Sequence, residues 1–180
     1  YKSNLSILLS TSGTMGSNKF VKITKNNIYS NTLSIIKNLN LKSKDRAILN
    51  MPFSYSYMLS IVNTHIQCGG SIFVSNTSFL QRRFWDEMIK YSITSFNGVP
   101  YIYETLNKIG LKKLKIDTIG YLTQAGGKLN LDLNKKIVNF AEKNKLKFFS
   151  MYGQTEASPR IAILDYKHSL KKVGSIGKPI

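Results

Sequence analysis

The chain alternates between short apolar runs and longer segments in which apolar residues recur every three or four positions. Short runs bounded by Gly, Pro, Ser or Asn are typical of buried strands, whereas the longer period is typical of amphipathic helices. The predicted strands span residues 5–9, 20–23, 47–49, 71–75, 93–96, 119–123, 147–151 and 160–164. The predicted helices span residues 57–67, 79–91, 101–109 and 131–144, and one more is expected from Thr24 to about Leu39.

Apolar stripes predict the buried faces of the first and last of these helices. Thr24 has a side chain suited to the N-cap of the first helix. The residues expected near one face of that helix are Ile28, Leu33, Ile36 and Leu39. The last helix has the clearest amphipathic pattern. Its stripe consists of Leu133, Ile137, Phe140 and Ala141.

Strands separated by helices at this spacing predict an α/β fold with a mostly parallel sheet and helices on both faces. A length of 180 residues suits one compact domain. An apolar content of 42% argues against disorder, and no apolar run reaches the length of a membrane span. Cys68 is the single cysteine, which excludes a disulfide framework and favours a reducing, cytoplasmic compartment.

The net charge of +17 admits an anionic partner such as nucleic acid. The lysines, however, are spread over the whole chain, and the aromatic residues lie mostly in apolar strand and helix patterns. We therefore interpret the densest basic cluster, residues 112–115, as a solvated loop or helix end. A basic nucleic-acid-binding domain remains the less favoured alternative, and steeply salt-dependent binding would be its mark.

Two loops that follow predicted strands carry residues suited to phosphate chemistry. The first, residues 10–19, alternates hydroxyl side chains with glycines and ends at Lys19. Small residues let backbone N–H groups surround an anion, hydroxyls add donors, and the ammonium adds a point charge. The glycine spacing is not that of a Walker P-loop. The second loop, residues 151–157, offers an aromatic face, a hydroxyl and a carboxylate suited to a magnesium ion shared with phosphates.

Both loops resemble signatures of the adenylate-forming superfamily, which includes acyl-CoA synthetases, luciferases and peptide-synthetase adenylation domains. The first resembles the family's phosphate-binding motif, which it matches at Thr11, Ser12, Gly13, Thr14, Gly16 and Lys19. It departs from that motif at Met15, Asn18 and Phe20. The second matches the family's Tyr-Gly-x-Thr-Glu motif from Tyr152 to Glu156, about 140 residues later and in the expected order.

The resemblance implies a role for each matching residue. Lys19 and the hydroxyls of the first loop would hold the β- and γ-phosphates of ATP. Tyr152 and Gly153 would border adenine, Thr155 would contact the α-phosphate, and Glu156 would hold Mg2+. The implied catalytic residues are Lys19, Thr155 and Glu156.

Weaker similarities point to the pocket for adenine and the acyl group. Gly126 and Gly127 follow a predicted strand where the family has a Gly-Gly-Ala-like turn. Lys128 replaces the alanine, and a lysine facing the pocket would favour an acidic acyl substrate. The implied acyl-pocket residues are Phe53, Tyr55, Tyr57 and Lys128. The family's usual aromatic–histidine pair is missing from this stretch. His65, His168 and Cys68 are interpreted as structural or exposed residues without a catalytic role.

The implied activity is ATP-dependent conversion of a carboxylic acid to an acyl-adenylate, followed by transfer to coenzyme A or to the phosphopantetheinyl thiol of an acyl-carrier protein. The resemblance covers residues 1–180 as the central part of the family's large N-terminal domain. It does not extend to the family's Thr-Gly-Asp segment or to the small C-terminal domain with its catalytic lysine. We therefore expect the chain to be inactive alone. The alternative is a nucleotide-binding module without catalysis.

Overall fold

The computed structural model describes residues 4–11, 19–111 and 114–180. Two strands form an antiparallel hairpin, and seven form a mixed sheet in the order β4-β3-β5-β6-β7-β8-β9. The hairpin strands are β1 (Leu5–Thr11) and β2 (Lys19–Thr24). The sheet strands are β3 (Arg46–Leu49), β4 (Ser71–Val74), β5 (Ser95–Gly98), β6 (Tyr121–Gln124), β7 (Lys147–Gly153), β8 (Arg160–Leu164) and β9 (Lys178–Pro179). The helices are α1 (Lys25–Leu39), α2 (Ser56–Gln67), α3 (Arg82–Lys90), α4 (Pro100–Ile109) and α5 (Leu131–Lys143).

The α/β prediction is confirmed. Strands β3 to β7 pair in parallel, while β8 joins β7 and β9 joins β8 in antiparallel register. Successive strand residues alternate between two cores. Phe148 packs with α3, α4 and α5, whereas Phe149 packs with α1 and α2. The sheet is therefore covered on both faces, as the sequence pattern predicts.

Helix α1 begins at the predicted N-cap. The Thr24 hydroxyl accepts from the Asn27 N–H at 3.1 Å, and the Asn27 side chain accepts from the Thr24 N–H at 3.1 Å. The predicted stripe is wrong at Leu33, which is 41% exposed. The buried residues are Thr32, Ile35 and Leu39. The helix turns about 100° per residue, so these three lie on one side while Leu33 faces away from it. The stripe of α5 is confirmed, with Leu133, Ile137 and Ala141 buried and Phe140 partly buried.

Several element ends differ from the predictions. The stretch 79–81 precedes α3 as a turn and a bend, and β5 and β6 each begin two residues later than predicted. Strand β9, with two residues, was not predicted, because so short a strand has no periodicity of its own. No described helix is long and apolar enough to cross a membrane.

Parallel pairing brings the carboxyl ends of β3, β5, β6 and β7 to one edge of the sheet. Ligands in open α/β sheets bind at this edge. The loops that leave it begin near Asn50, Val99, Ala125 and Gln154. Three of the four loops carry residues singled out in the sequence, so the fold brings distant candidate residues to one place.

Candidate functional site

A cleft of about 1110 Å³ opens at this edge of the sheet. Its walls come from the end of β1, the stretch before and within the first turn of α2, the turn after β6, the end of β7, and the segment 174–176. The predicted site residues that line it are Thr11, Tyr55, Tyr57, Gly126, Gly127, Lys128, Tyr152, Gly153, Thr155 and Glu156. Residues from both predicted loops and from the predicted acyl pocket therefore share one cavity.

Two predicted residues lie off this wall. Lys19 is exposed and pairs in register with Thr11 across the hairpin. Strand β2, which Lys19 opens, contacts the short 3-10 helix Thr155–Ala157. Phe53 is 53% exposed and does not line the cleft. Four further predicted residues, Ser12, Gly13, Thr14 and Gly16, lie outside the described part of the chain.

The turn after β6 requires glycine. Gly126 has a φ of 78°, which side chains disfavour, and a Cβ there would lie 2.1 Å from the Tyr55 hydroxyl oxygen. The Gln124 side chain donates a hydrogen bond of 2.8 Å to the Gly127 carbonyl and holds the turn closed. Lys128 follows with an exposed side chain. Tyr55 can therefore approach the backbone closely because no side chain intervenes.

The end of β7 presents the second predicted loop to the cleft. Tyr152 is 44% exposed, which leaves an aromatic face open to a ligand. Gly153 is needed because a Cβ there would meet the Pro159 carbonyl oxygen at 1.8 Å. The Thr155 hydroxyl shares a hydrogen bond of 3.1 Å with Ser56, the first residue of α2. Glu156 follows with an exposed carboxylate.

A buried hydroxyl network fixes Tyr57 on the opposite wall. The Thr123 hydroxyl donates to Asn97 Oδ1 at 2.6 Å, so at 2.6 Å it accepts from the Tyr57 hydroxyl. The Tyr103 hydroxyl donates to the Thr123 carbonyl at 2.8 Å. Burial raises the pKa of Tyr57 to about 12, with Arg160 and Thr123 opposing that shift. Tyr57 is therefore a neutral hydrogen-bond donor with its ring on the cleft wall.

Arg160, the first residue of β8, lies against that ring. Its guanidinium carbon is 5.1 Å from the Tyr57 ring centroid, and Nη1 is 3.3 Å from Met151 Sδ. Burial lowers the pKa of Arg160, but an arginine side chain remains protonated in proteins. Within the described cleft wall, the ionised side chains are therefore Lys128 and Arg160, which are positive, and Glu156, which is negative.

Sequence reasoning missed three residues of this site. Ser56 and Gln124 carry no local signal, because their partners Thr155 and Gly127 are defined only by the fold or by the turn. Arg160 did have a signal, since it opens the otherwise apolar run 161–164. A charge at the start of a buried strand must find a partner or a ligand. The segment 174–176 also reaches the cleft.

Comparison with known proteins gives consistent matches. A family model described as AMP-binding enzyme matches residues 2–180. A feruloyl-CoA synthase from Amycolatopsis sp is 25% identical over 96% of the chain and 35% of its own length. An oxalate–CoA ligase from Saccharomyces cerevisiae is 24% identical over 98% of the chain and 32% of its own length.

Solved structures share the fold. The o-succinylbenzoate coenzyme A synthetase of Bacillus subtilis, in a complex with ATP and magnesium ion, superposes with a TM-score of 0.81 and 25% identity. The match covers 96% of the chain and 35% of that structure. The chain spans about a third of the length of these two relatives and of this structure.

Proposed function

The chain belongs to the family of AMP-binding enzymes, and on that premise we propose that it supplies the nucleotide- and acid-binding cleft of an enzyme that joins a carboxylic acid to AMP. The observation that carries this proposal is the meeting of Tyr152, Thr155 and Glu156 with the Gly126–Gly127 turn in one cleft. An aromatic face, a hydroxyl and a carboxylate lie there beside exposed backbone. These groups suit adenine, phosphate and a phosphate-bound cation respectively.

Each wall of the cleft has a part in holding ATP. The exposed ring of Tyr152 stacks on adenine beside the Gly126–Gly127 turn. Thr155 donates its hydroxyl proton to the α-phosphate, and Ser56 donates to the Thr155 oxygen, which leaves the Thr155 proton for the phosphate. Lys19 and the first loop (Thr11, Ser12, Thr14) bind the β- and γ-phosphates. The contact of β2 with the 3-10 helix that contains Thr155 supports this arrangement, because Lys19 begins β2.

A magnesium ion fits the donor set. Within the described ranges, no group of three or more His, Cys, Asp or Glu side chains comes together to hold a metal. Mg2+ needs no such group when phosphates supply most of its ligands, and one or two carboxylates then suffice. Glu156 would hold the ion, which neutralises charge on the phosphates when bound. Its carboxylate is exposed on the cleft wall and is paired with no Lys or Arg among the described residues.

The reaction requires positioning more than covalent participation by the protein. A carboxylate oxygen of the acid attacks the α-phosphorus of ATP, the bond from that phosphorus to the bridging oxygen breaks, and pyrophosphate leaves with the electron pair. Thr155 stabilises the charge that develops on the α-phosphate oxygens. Tyr55 and Tyr57 bound the acyl side and exclude water from the mixed anhydride.

The second half-reaction transfers the acyl group to a thiol. The sulfur loses its proton to solvent and attacks the acyl carbonyl as a thiolate, the carbon–oxygen bond to AMP breaks, and AMP leaves with the electron pair. Coenzyme A is the favoured acceptor because the relatives named above are coenzyme A synthases and ligases. The thiol of an acyl-carrier protein could replace it with the same chemistry. A cytoplasmic setting, where ATP and coenzyme A are available, fits this proposal.

The test is acid-dependent exchange of pyrophosphate into ATP, measured on the protein at its full natural length with fatty, aromatic, amino and dicarboxylic acids. We expect exchange that needs both an acid and Mg2+ and that chelation of the metal abolishes. ATP binding without exchange for any acid would instead favour a nucleotide-binding module. Tight, salt-sensitive binding of DNA or RNA that ATP does not alter would favour a nucleic-acid partner.

A further inference from the structure

A buried arginine without an acidic partner borders the cleft. Arg160 lines the cleft wall, yet only 4% of its surface is exposed. All nine Asp and Glu residues of the chain lie in the ranges that the structure describes. Within those ranges, ion pairs involve only Asp86 and Glu87 among the acids. The guanidinium is therefore a buried positive charge that no Asp or Glu side chain of this chain neutralises.

The described residues also leave most of its hydrogen-bonding capacity unused. A guanidinium has five N–H donors. Nη1 meets Met151 Sδ, which is a weak acceptor, and Nε has no partner in the described part of the chain. The Tyr57 ring adds a cation–π contact. A thioether and an aromatic face offset only part of the cost of burying a charge.

The position of Arg160 is fixed from its backbone. The Asn31 side chain on α1 donates to the Arg160 carbonyl at 2.7 Å and accepts from the Arg160 N–H at 3.5 Å. Antiparallel pairing joins β8 to β7, and Gly153 is the register partner of Arg160. The backbone is thus fixed, and the contacts with Tyr57 and Met151 place the guanidinium before any ligand arrives, which lowers the entropy lost on binding.

We propose that Arg160 binds a second anionic group of the acyl substrate, so that the acid activated in this cleft carries a carboxylate remote from the one joined to AMP. This assignment rests on the proposed function. The planar guanidinium fork matches a carboxylate in a bidentate pair. The neighbouring Tyr57 ring and Met151 side chain are apolar and suit the carbon skeleton between two carboxylates. In the proposed function the ATP phosphates lie instead beside Thr155 and beside the Mg2+ that Glu156 would hold.

Lys128, the other cation of the described cleft wall, is less suited to this selection. Its side chain is exposed, so its charge is already solvated and binding an anion there gains little. A buried guanidinium gains more from an anion, because water does not compete for it. Selectivity for a second carboxylate should therefore depend on Arg160 and survive the loss of Lys128.

The test compares matched acids in the exchange assay, on the protein at its full natural length. Linear dicarboxylic acids from oxalate to adipate, and benzene-1,2-dicarboxylate, are each assayed beside their monoamides, which keep the shape and lose one charge. We expect at least one diacid to exceed its monoamide by about 10²-fold in kcat/KM, the size expected for a buried charge pair. Arg160→Met should remove that preference and leave the monoamide within about 3-fold of wild type. Lys128→Met, the matched control, should keep it.

Three results would overturn this assignment. One is a wild-type protein that exchanges with neutral acids and prefers no diacid over its monoamide. Another is an Arg160→Met protein in which kcat/KM falls equally for the diacid and the monoamide while the KM for ATP rises. That result would indicate that Arg160 binds the nucleotide. The third is a wild-type protein in which no acid supports exchange, which would contradict the proposed function itself. If Arg160→Met does not fold, two measurements still test the assignment. Wild type should prefer the diacid over its monoamide, and Arg160→Lys should keep part of that preference.

Discussion

The hydroxyl oxygens of Ser56 and Thr155 lie 3.1 Å apart and share a hydrogen bond. Ser56 begins α2, and Thr155 begins the 3-10 helix that follows β7. The bond therefore joins two elements that are far apart in the sequence. A threonine hydroxyl has one proton and rotates freely when nothing orients it. Ser56 thus orients the Thr155 hydroxyl, the group that we propose contacts the α-phosphate.

Removal of the Ser56 hydroxyl should slow catalysis without unfolding the protein. We expect Ser56→Ala to lower kcat for ATP–pyrophosphate exchange by about 3- to 10-fold, the effect of one hydrogen bond. Ser43→Ala, in an exposed loop, should have no effect. In a Thr155→Val background, Ser56→Ala should not lower kcat further, because the hydrogen bond between residues 56 and 155 is already absent. Fully additive losses would show that Ser56 acts independently of Thr155.

Lys19 should contribute to ATP binding through its charge. It is exposed beside Thr11 at the start of β2, so its contribution should be moderate. We expect Lys19→Gln to raise the KM for ATP by about 10-fold, as a single charge contact to phosphate would. Lys22→Gln, exposed on the same strand, is the matched control and should leave the KM unchanged. Equal effects of the two changes on the KM for ATP would contradict a specific contact between Lys19 and the phosphates and would indicate only a general effect of positive surface charge.

Gly126→Ala should destabilise the protein. The positive φ and the contact with the Tyr55 hydroxyl together predict a loss of about 2–4 kcal/mol in the free energy of unfolding, measured in urea. Gly120→Ala is the control, because the nearest atom to a Cβ there is 3.7 Å away. Adding Tyr55→Phe to Gly126→Ala should recover part of the loss by removing the clashing oxygen. No recovery would assign the loss to backbone strain and to the Val99 side chain, which a Cβ would approach to 3.1 Å.

His65 should make the fold sensitive to mild acid. Its Nδ1 donates to the Ile61 carbonyl at 2.8 Å, and burial lowers its pKa below the ordinary 6.5. The unfolded chain therefore binds a proton more readily than the folded one. This contribution to the free energy of unfolding should be complete above pH 6.5 and should decline as the pH falls below it.

Urea unfolding between pH 7.5 and 5.5 measures that decline. His65→Gln should flatten the pH dependence, whereas His168→Gln should leave it unchanged because His168 is exposed. The same slope in the His65→Gln protein and in wild type would contradict the assignment.

The order of elements and the two loops could be predicted from sequence because local residues encode them. Thr24 and Asn27 are close enough in the chain to form a capping box wherever the helix packs. The face of α1 could not be predicted as reliably, because both Leu33 and Ile35 are apolar and only packing selects between them. The pattern also gave no sign that β1 and β2 lie outside the main sheet.

The inner part of the site escaped prediction because its contacts are long-range. Tyr57 was expected in the acyl pocket from the family resemblance, but its partners Thr123 and Arg160 come from β6 and β8. A single arginine in the sequence does not reveal which rings surround it. Acidic partners, too, can be excluded only when all of the acids have been located in the fold.

The most direct measurement is acid-dependent ATP–pyrophosphate exchange by the Glu156→Gln protein at its full natural length. The change keeps the size of the side chain and removes the charge that would hold Mg2+. We predict a fall of about 10²-fold or more, with Glu142→Gln, exposed on α5, retaining the wild-type rate. Undiminished exchange in the Glu156→Gln protein would contradict the placement of the nucleotide and its metal in this cleft.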